Sequence, residues 1–337
     1  MPTLRGRMLP AAAAVAVVGL VAAGVRAPGG PSPAAPSVVG PPPLAARSRP
    51  LRPLAVPATA RVIVFSPHPD DETIGAGGLI ARLVRAHAAV RVVFVTNGDG
   101  YPEAVKEGFH LQRPTDEDYV ELGELREREA LAAARHLGLR RKDVVFLGFP
   151  DGGLAELWRT HWLRTRPYTS PYTKEDSPPY PDTVNPDVEY DGQDLTSVIA
   201  RILESFRPTV VVMPNPFDRH RDHEHAAYFV TEAVSRLQDR GILPRDLTVL
   251  TYLVHYPSWP IVRAPAFDRC FPDERVPFTQ WTETELAPAE SAAKRAALAE
   301  YRSQLDVMNG FLRLFLCRNE LFGHLDAKVL AKIAAIH

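Results

Sequence analysis

Short apolar runs alternate with longer amphipathic stretches along most of this chain. The runs cover 61–65, 90–95, 144–147, 210–213 and 247–254; the stretches cover 73–87, 117–137, 195–206 and 224–237, with apolar residues at helical spacing. A short run rich in Val, Ile and Phe is a strand buried on both faces, and strands separated by helices form βαβ units. The pattern predicts an α/β fold: a Rossmann-like, mainly parallel sheet with helices on both faces, in a single catalytic domain. Ligands of such sheets bind beyond the carboxyl ends of the strands.

Two stretches break the alternation. Residues 98–116 are short and polar, and residues 158–194 are rich in Pro, Tyr and Asp without a period. Loops of that length inside a compact domain are usually functional or disordered. Tyr168, Tyr172, Tyr180 and Tyr190 in the longer one either face a substrate, stacking on a sugar ring, or pin the loop to the surface. The tail, 288–305 and 307–322, reads as two helices on the sheet edge whose role is structural.

The first sixty residues differ in kind. Arg5 and Arg7 precede an apolar stretch over 8–25, with small residues around Val25 and Ala27. This is the layout of an export signal, and it is nearly long enough to span a bilayer. Residues 1–27 are therefore expected to be a signal peptide or an N-terminal membrane anchor. Residues 28–60 are expected to be a Pro/Ala-rich tether and 61–337 the catalytic domain. The protein would be exported, either secreted or held at the outer face of the cytoplasmic membrane. The formal net charge is −1 with both signs interspersed, so no nucleic-acid footprint is present. The two cysteines, Cys270 and Cys317, are read either as one disulfide or as buried thiols.

The chemistry sits immediately after two of the strands. Ser66-Pro-His68-Pro-Asp70-Asp71-Glu72 follows the first run, and Asp218-Arg-His220-Arg-Asp222-His223 follows the fourth. A hydrolytic zinc site takes three protein ligands from His, Asp or Glu and leaves one position for water. His68, Asp71 and His223 would supply them, and the metal would retain positive charge for polarising a carbonyl. Asp70 adjoins a ligand without being one, which suits a general base. His220, three residues before His223, suits the group that stabilises a tetrahedral oxyanion. Asp222 or Asp218 would orient an imidazole from behind. Alone, each motif is more often a helix cap or a solvated turn, and His225 competes for the ligand role. Two such motifs at strand ends in one α/β pattern are a much stronger signal.

These residues carry a resemblance. Pro67-His-Pro-Asp-Asp-Glu72 together with His220-Arg-Asp-His223 resembles the PIG-L/LmbE-like family of zinc-dependent N-acetylglucosaminyl de-N-acetylases, over about residues 60–240. The resemblance implies zinc on His68, Asp71 and His223, with Asp70 as general base and His220 at the tetrahedral intermediate. Arg126-Glu-Arg-Glu129 resembles the helix in which the family places a substrate-contacting Arg; its bland reading is a surface charge. Phe149-Pro-Asp151-Gly-Gly resembles a loop whose Asp meets sugar hydroxyls; its bland reading is a tight turn.

The expected activity is hydrolysis of a linear amide, removing acetyl from an N-acetylamino sugar. The export segment and the 158–194 insertion point to a sugar in an exported glycan, glycolipid or glycosylated metabolite. Two rivals stand beside this: removal of a longer N-acyl group from a glycoside or glycolipid, and a carbohydrate-binding protein without turnover.

Overall fold

The computed structural model describes residues 50–263 and 266–334. Ten strands are present among them: β1 (Arg52–Pro53), β2 (Arg61–Ser66), β3 (Ala89–Thr96), β4 (Val144–Phe149), β5 (Val210–Pro214), β6 (Thr248–Tyr252), β7 (Ile261–Arg263), β8 (Ala266–Phe271), β9 (Thr279–Glu285) and β10 (Asn319–Leu325). The helices are α1 (Asp71–Arg85), α2 (Pro102–Gly108), α3 (Asp116–His136), α4 (Leu154–Arg159), α5 (Gly192–Phe206), α6 (Arg221–Asp239), α7 (Pro288–Leu298), α8 (Arg302–Arg313) and α9 (Ala327–Ala334).

Eight strands form one sheet in the order β1-β9-β10-β6-β5-β2-β3-β4. The five strands expected from the apolar runs, β4-β3-β2-β5-β6, are parallel throughout. Their side chains alternate between two cores. Val62, Val64, Val210 and Val212 pack on one face; Ile63, Phe65, Val211 and Met213 pack on the other. Both faces are dry, which is why these strands read as continuous apolar runs. The chain leaves β2 for β3 and β4, then returns to place β5 on the other side of β2. That reversal is a topological switch point, and the two His/Asp loops leave it side by side.

β9 and β10 escape a search for apolar runs because polar residues interrupt them, as in Thr279-Gln-Trp-Thr-Glu-Thr-Glu285, and β1 and β7 because they are only two and three residues long. β10 is antiparallel to both β6 and β9. The expected helix over 307–322 therefore ends at Arg313, and its last residues enter the sheet. Glu320 of β10 is buried with Lys294 of α7, 2.8 Å away, and it also accepts the backbone N–H groups of Gly78 and Leu79. Ionic pairing there replaces the hydrophobic signature that strand burial usually leaves in a sequence.

Residues 52–53 pair with β9, and Leu54 N–H donates to Glu283 C=O, so the tether expected to reach residue 60 has already joined the sheet. The signal or anchor expected over 1–27 lies outside the described residues. Among the described residues no helix is long and apolar enough to cross a membrane. Cys270 and Cys317 form a disulfide with Cα atoms 5.6 Å apart, which settles the even choice between bridge and thiols.

Candidate active site

The loop after β2 is folded back by Ser66, whose hydroxyl donates to His68 C=O and accepts the N–H of Glu72. This turns His68, Asp70 and Asp71 into the crevice at the head of α1. Asp71 Oδ2 accepts the backbone N–H of His68 at 3.0 Å and lies 3.1 Å from its ring Nδ1. Asp70 has φ 131°, a conformation L-residues rarely adopt. Its C=O accepts the N–H groups of Thr73 and Ile74, which open α1.

The loop after β5 is organised by Asp218. Its Oδ1 accepts His220 N–H, and its Oδ2 accepts the N–H groups of Val254 and His255. His220 caps α6, its Nδ1 accepting Asp222 N–H at 3.3 Å. His223 follows in the first turn, fully buried. Its Nε2 lies 3.1 Å from Asp71 Oδ2 and its Nδ1 3.3 Å from Asp218 Oδ2.

The two loops thus meet at Asp71 and His223. Neither ring nitrogen of His223 is in hydrogen-bonding geometry with any partner, although the ring is buried. A buried polar atom left so is costly, and a cation held between the rings and the carboxylates would satisfy it. Three overlapping sets of side chains place ligand atoms within 4.8 Å of one another: His68, His220 and His223; Asp71, His223 and His255; His68, Asp151 and Asp222. The expected trio is spread over the first two sets rather than forming one by itself. Nitrogen and carboxylate donors in this mixture fit a zinc-type divalent ion.

The electrostatics agree. Asp70, Asp71, Asp151, Asp218 and Asp222 are all buried here. Burial disfavours charge on His223, but Asp71 and Asp218 outweigh it and raise the ring to about 9. Burial likewise opposes charge on His68, yet Asp151 leads the groups that lift it well above the usual imidazole value. The surrounding carboxylates thus favour the protonated form of His68 and His223, though not of His220. A bound cation would offset the carboxylates instead. Burial and the adjacent Asp71 push Asp70 up to about 8. His220 falls to about 4, from burial and then from His68 and His223.

Arg126 is not the surface charge of its bland reading. It is buried in α3 and donates to Gly98 C=O, to Pro69 C=O at 2.7 Å and to Asp70 Oδ2 at 3.4 Å. Asp151 is more than a turn residue: its Oδ1 lies 3.2 Å from His68 Nε2, and its Oδ2 accepts Gly100 N–H. Asp222 accepts the N–H groups of Gly152 and Leu154, so it fixes the loop that carries Asp151, and it lies 3.4 Å from His68 Nε2. His225 is outside the cluster; its Nδ1 lies 2.7 Å from Arg221 C=O.

Sequence reading missed His255. Its ring centroid lies 4.9 Å from that of His223 and 5.0 Å from that of His220. The available signal was its place directly after the fifth apolar run, where the strand-end rule applies equally. The tail was also underrated. A cavity of about 380 Å³ opens on the cluster, with His68, Asp70 and Tyr172 on one side and Met308, Phe311 and Leu312 of α8 on another. The tyrosines of the long loop divide: Tyr172 lines the cavity, whereas Tyr180 and Tyr190 are buried anchors, donating to Asp99 and to Gly148 C=O.

A family model described as GlcNAc-PI de-N-acetylase (PIG-L) matches residues 63–234, a span that holds both His/Asp loops. The chain belongs to the PIG-L family. It is similar to a 1D-myo-inositol 2-acetamido-2-deoxy-alpha-D-glucopyranoside deacetylase of Mycobacterium sp. (strain KMS), 32% identical over 192 residues, covering 55% of this chain and 54% of the relative. The protein of the same name from Corynebacterium urealyticum is 27% identical over 274 residues, 75% of this chain and 73% of its own. Among solved structures, the N,N'-diacetylchitobiose deacetylase from Pyrococcus horikoshii aligns over 78% of this chain and 82% of its own, with 19% identity and a TM-score of 0.46. The chain spans about half the length of the first curated relatives it matches. His255 and α8 lie beyond the matched span.

Proposed function

We propose that this chain is a zinc-dependent hydrolase that removes the N-acetyl group from an N-acetylamino sugar. The observation that carries the reading is the buried meeting of Asp71 with His223, whose ring nitrogens lie against carboxylates without hydrogen-bonding geometry, beside the Asp70 carboxyl on the same cavity. Family membership and the names of the relatives support the same reaction class.

His68, Asp71 and His223 would hold the ion, which when bound supplies a Lewis acid for the acyl carbonyl and a more acidic water. Asp70 lines the cavity and takes the proton of the attacking water. His220 Nδ1 accepts a backbone N–H, so the neutral ring carries its proton on Nε2. That N–H is free to donate to the oxygen that gains charge in the tetrahedral intermediate. The proton held by Asp70 then passes to the departing amine. Arg126, hydrogen-bonded to Pro69 C=O and Asp70 and itself lining the cavity, holds the base and faces the substrate, and Asp151, between His68 and the cavity, is the candidate for meeting sugar hydroxyls.

A second reading has its own support. Met308, Phe311 and Leu312 give the cavity an apolar wall that an acetyl group alone does not need, which favours a longer N-acyl chain on a glycoside or glycolipid. We place the substrate outside the cytosol. The Cys270–Cys317 disulfide supports an oxidising compartment, in line with the export segment expected at the N-terminus.

The test is metal content and acid release by the full chain on N-acetylglucosamine, N,N'-diacetylchitobiose, an N-acetylglucosaminyl inositol and their N-hexanoyl counterparts. About one zinc per chain and chelator-sensitive acetate release are expected. Absence of bound metal after zinc is added back would overturn the reading.

A further inference from the structure

Two buried carboxylates near the site, Glu72 and Glu129, have no part in the reaction as derived. Both are engaged by the segment that opens α8. Tyr301 O–H donates to Glu72 Oε1 at 2.6 Å. Ser303 donates to Glu129 twice, from its backbone N–H at 2.8 Å and its hydroxyl at 2.6 Å. All four residues are buried, and Tyr301 and Ser303 lie outside the span matched by the family model.

Their geometry converges on one peptide group. The unit joining Pro69 to Asp70 has its C=O bound by Arg126 at 2.7 Å and its N–H bound by Glu72 Oε2 at 3.2 Å. The next peptide is fixed by the N–H groups of Thr73 and Ile74, which donate to Asp70 C=O. With the planes on both sides of its Cα held, Asp70 is kept at φ 131°. A strained conformation persists only where its surroundings over-determine it. Arg126 sits three residues before Glu129 in α3, so the head of α8 braces both holders of this peptide: Glu72 directly, and Arg126 through the helix that Ser303 ties down.

We infer that Tyr301 is a positioning residue for Asp70, acting through Glu72: its hydroxyl fixes the carboxylate that clamps the Pro69–Asp70 peptide and so aims the base into the cavity. The inference rests on the reading of Asp70 as base. Thr73 Oγ1 shares Glu72 Oε1 with Tyr301, so loss of the tyrosine hydroxyl leaves Glu72 in place but with one of its two Oε1 donors gone and its aim loosened.

The experiment is Tyr301→Phe in the full-length, zinc-loaded protein, with Asp70→Asn and the double variant alongside, using the N-acetylated sugar of the panel that the native protein turns over fastest. Tyr301→Phe should lower kcat about tenfold, with KM and metal content unchanged. On the Asp70→Asn background it should change the residual rate by less than about twofold, because a residue that acts through Asp70 has nothing left to aim. A general structural role would lower both rates alike. If Tyr301→Phe does not fold, Glu72→Met replaces it: the side chain keeps a similar length but has no carboxylate to accept the Asp70 N–H, so the clamp is lost and the same kcat loss is expected. A Tyr301→Phe kcat within twofold of native, with Asp70→Asn inactive, overturns the inference and leaves the hydrolase reading intact. Near-native turnover by Asp70→Asn, or no turnover by the native protein, overturns the reading of the base and this inference with it.

Discussion

Asp218 Oδ2 lies 3.3 Å from Nδ1 of His223 and at the same time accepts the backbone N–H groups of Val254 and His255. One carboxylate oxygen therefore links the β5 loop, the head of α6 and the segment after β6. Such a partner behind a metal-binding imidazole sets its tautomer and orientation. Asp218→Ala should weaken zinc binding by about 10–100-fold, read by competition with a chromophoric chelator. Unchanged zinc affinity would separate His223 from the ion.

Asp70 combines two costs in one residue, a φ of 131° and a buried carboxyl pushed to about 8 by burial and by Asp71. Positive φ at a non-glycine residue costs on the order of 1–3 kcal/mol. Asp70→Gly should therefore raise the melting temperature while turnover falls by roughly 10²–10⁴-fold, the usual worth of a general base. A variant that loses both stability and activity would mean that the side chain supports the fold, not the chemistry.

Much of this site was legible because its parts are contiguous. His68, Asp70 and Asp71 occupy one turn, His220 and His223 another, and both follow apolar runs that sheet burial on two faces makes conspicuous. What stayed hidden depends on contacts far apart in sequence. Arg126 stands among Glu and Arg residues on its helix, and only the carbonyls of Pro69 and Gly98 make it a buried residue. β9 and β10 carry interspersed polar side chains, such as Glu320, which pairs with Lys294 of α7, so neither produced an apolar run. The α8 wall is visible only once the tail has folded over the crevice.

The carboxyl of Glu127 is raised to about 7, by burial above all, although Asn97 Nδ2 donates to it at 2.7 Å. An acid whose folded value exceeds its unfolded one contributes stability that is full below the unfolded value, near 4.5, and is lost as pH rises through the folded value. Glu127→Gln keeps an acceptor for Asn97 and removes the charge. Relative to native, the variant should gain stability between pH 5 and pH 8, by at most about 3 kcal/mol. Denaturant melts at the two pH values check it; an equal difference at both would place the proton elsewhere.

The disulfide joins β8 to the turn before β10 across a separation of 47 residues. Closing a loop of that size in the unfolded chain is worth about 4 kcal/mol on the chain-entropy model. Replacing both Cys270 and Cys317 by Ser should lower stability by about 2–4 kcal/mol while zinc content is unchanged, since neither sulfur reaches the cluster. Loss of zinc together with the bridge would show that the tail shapes the metal site as well as the cavity wall.

The apolar wall is the feature that can separate the two substrate readings. Phe311 stacks on His255 with centroids 5.4 Å apart and rings 15° from parallel, so truncating it would also disturb the cluster. Met308 lines the same cavity and has non-helical φ and ψ inside α8, where the helix is kinked. Met308→Trp fills space along the wall. If a longer acyl chain lies there, kcat/KM for an N-hexanoyl amino sugar should fall at least about tenfold while the N-acetyl analogue stays within about twofold, a difference in the range that pocket size alone delivers. If the two substrates lose rate together, the wall meets the sugar or its aglycone, and the acetyl reading gains. Met308→Ala adds the opposite check: extra room should favour the longer chain and leave acetate release as it was.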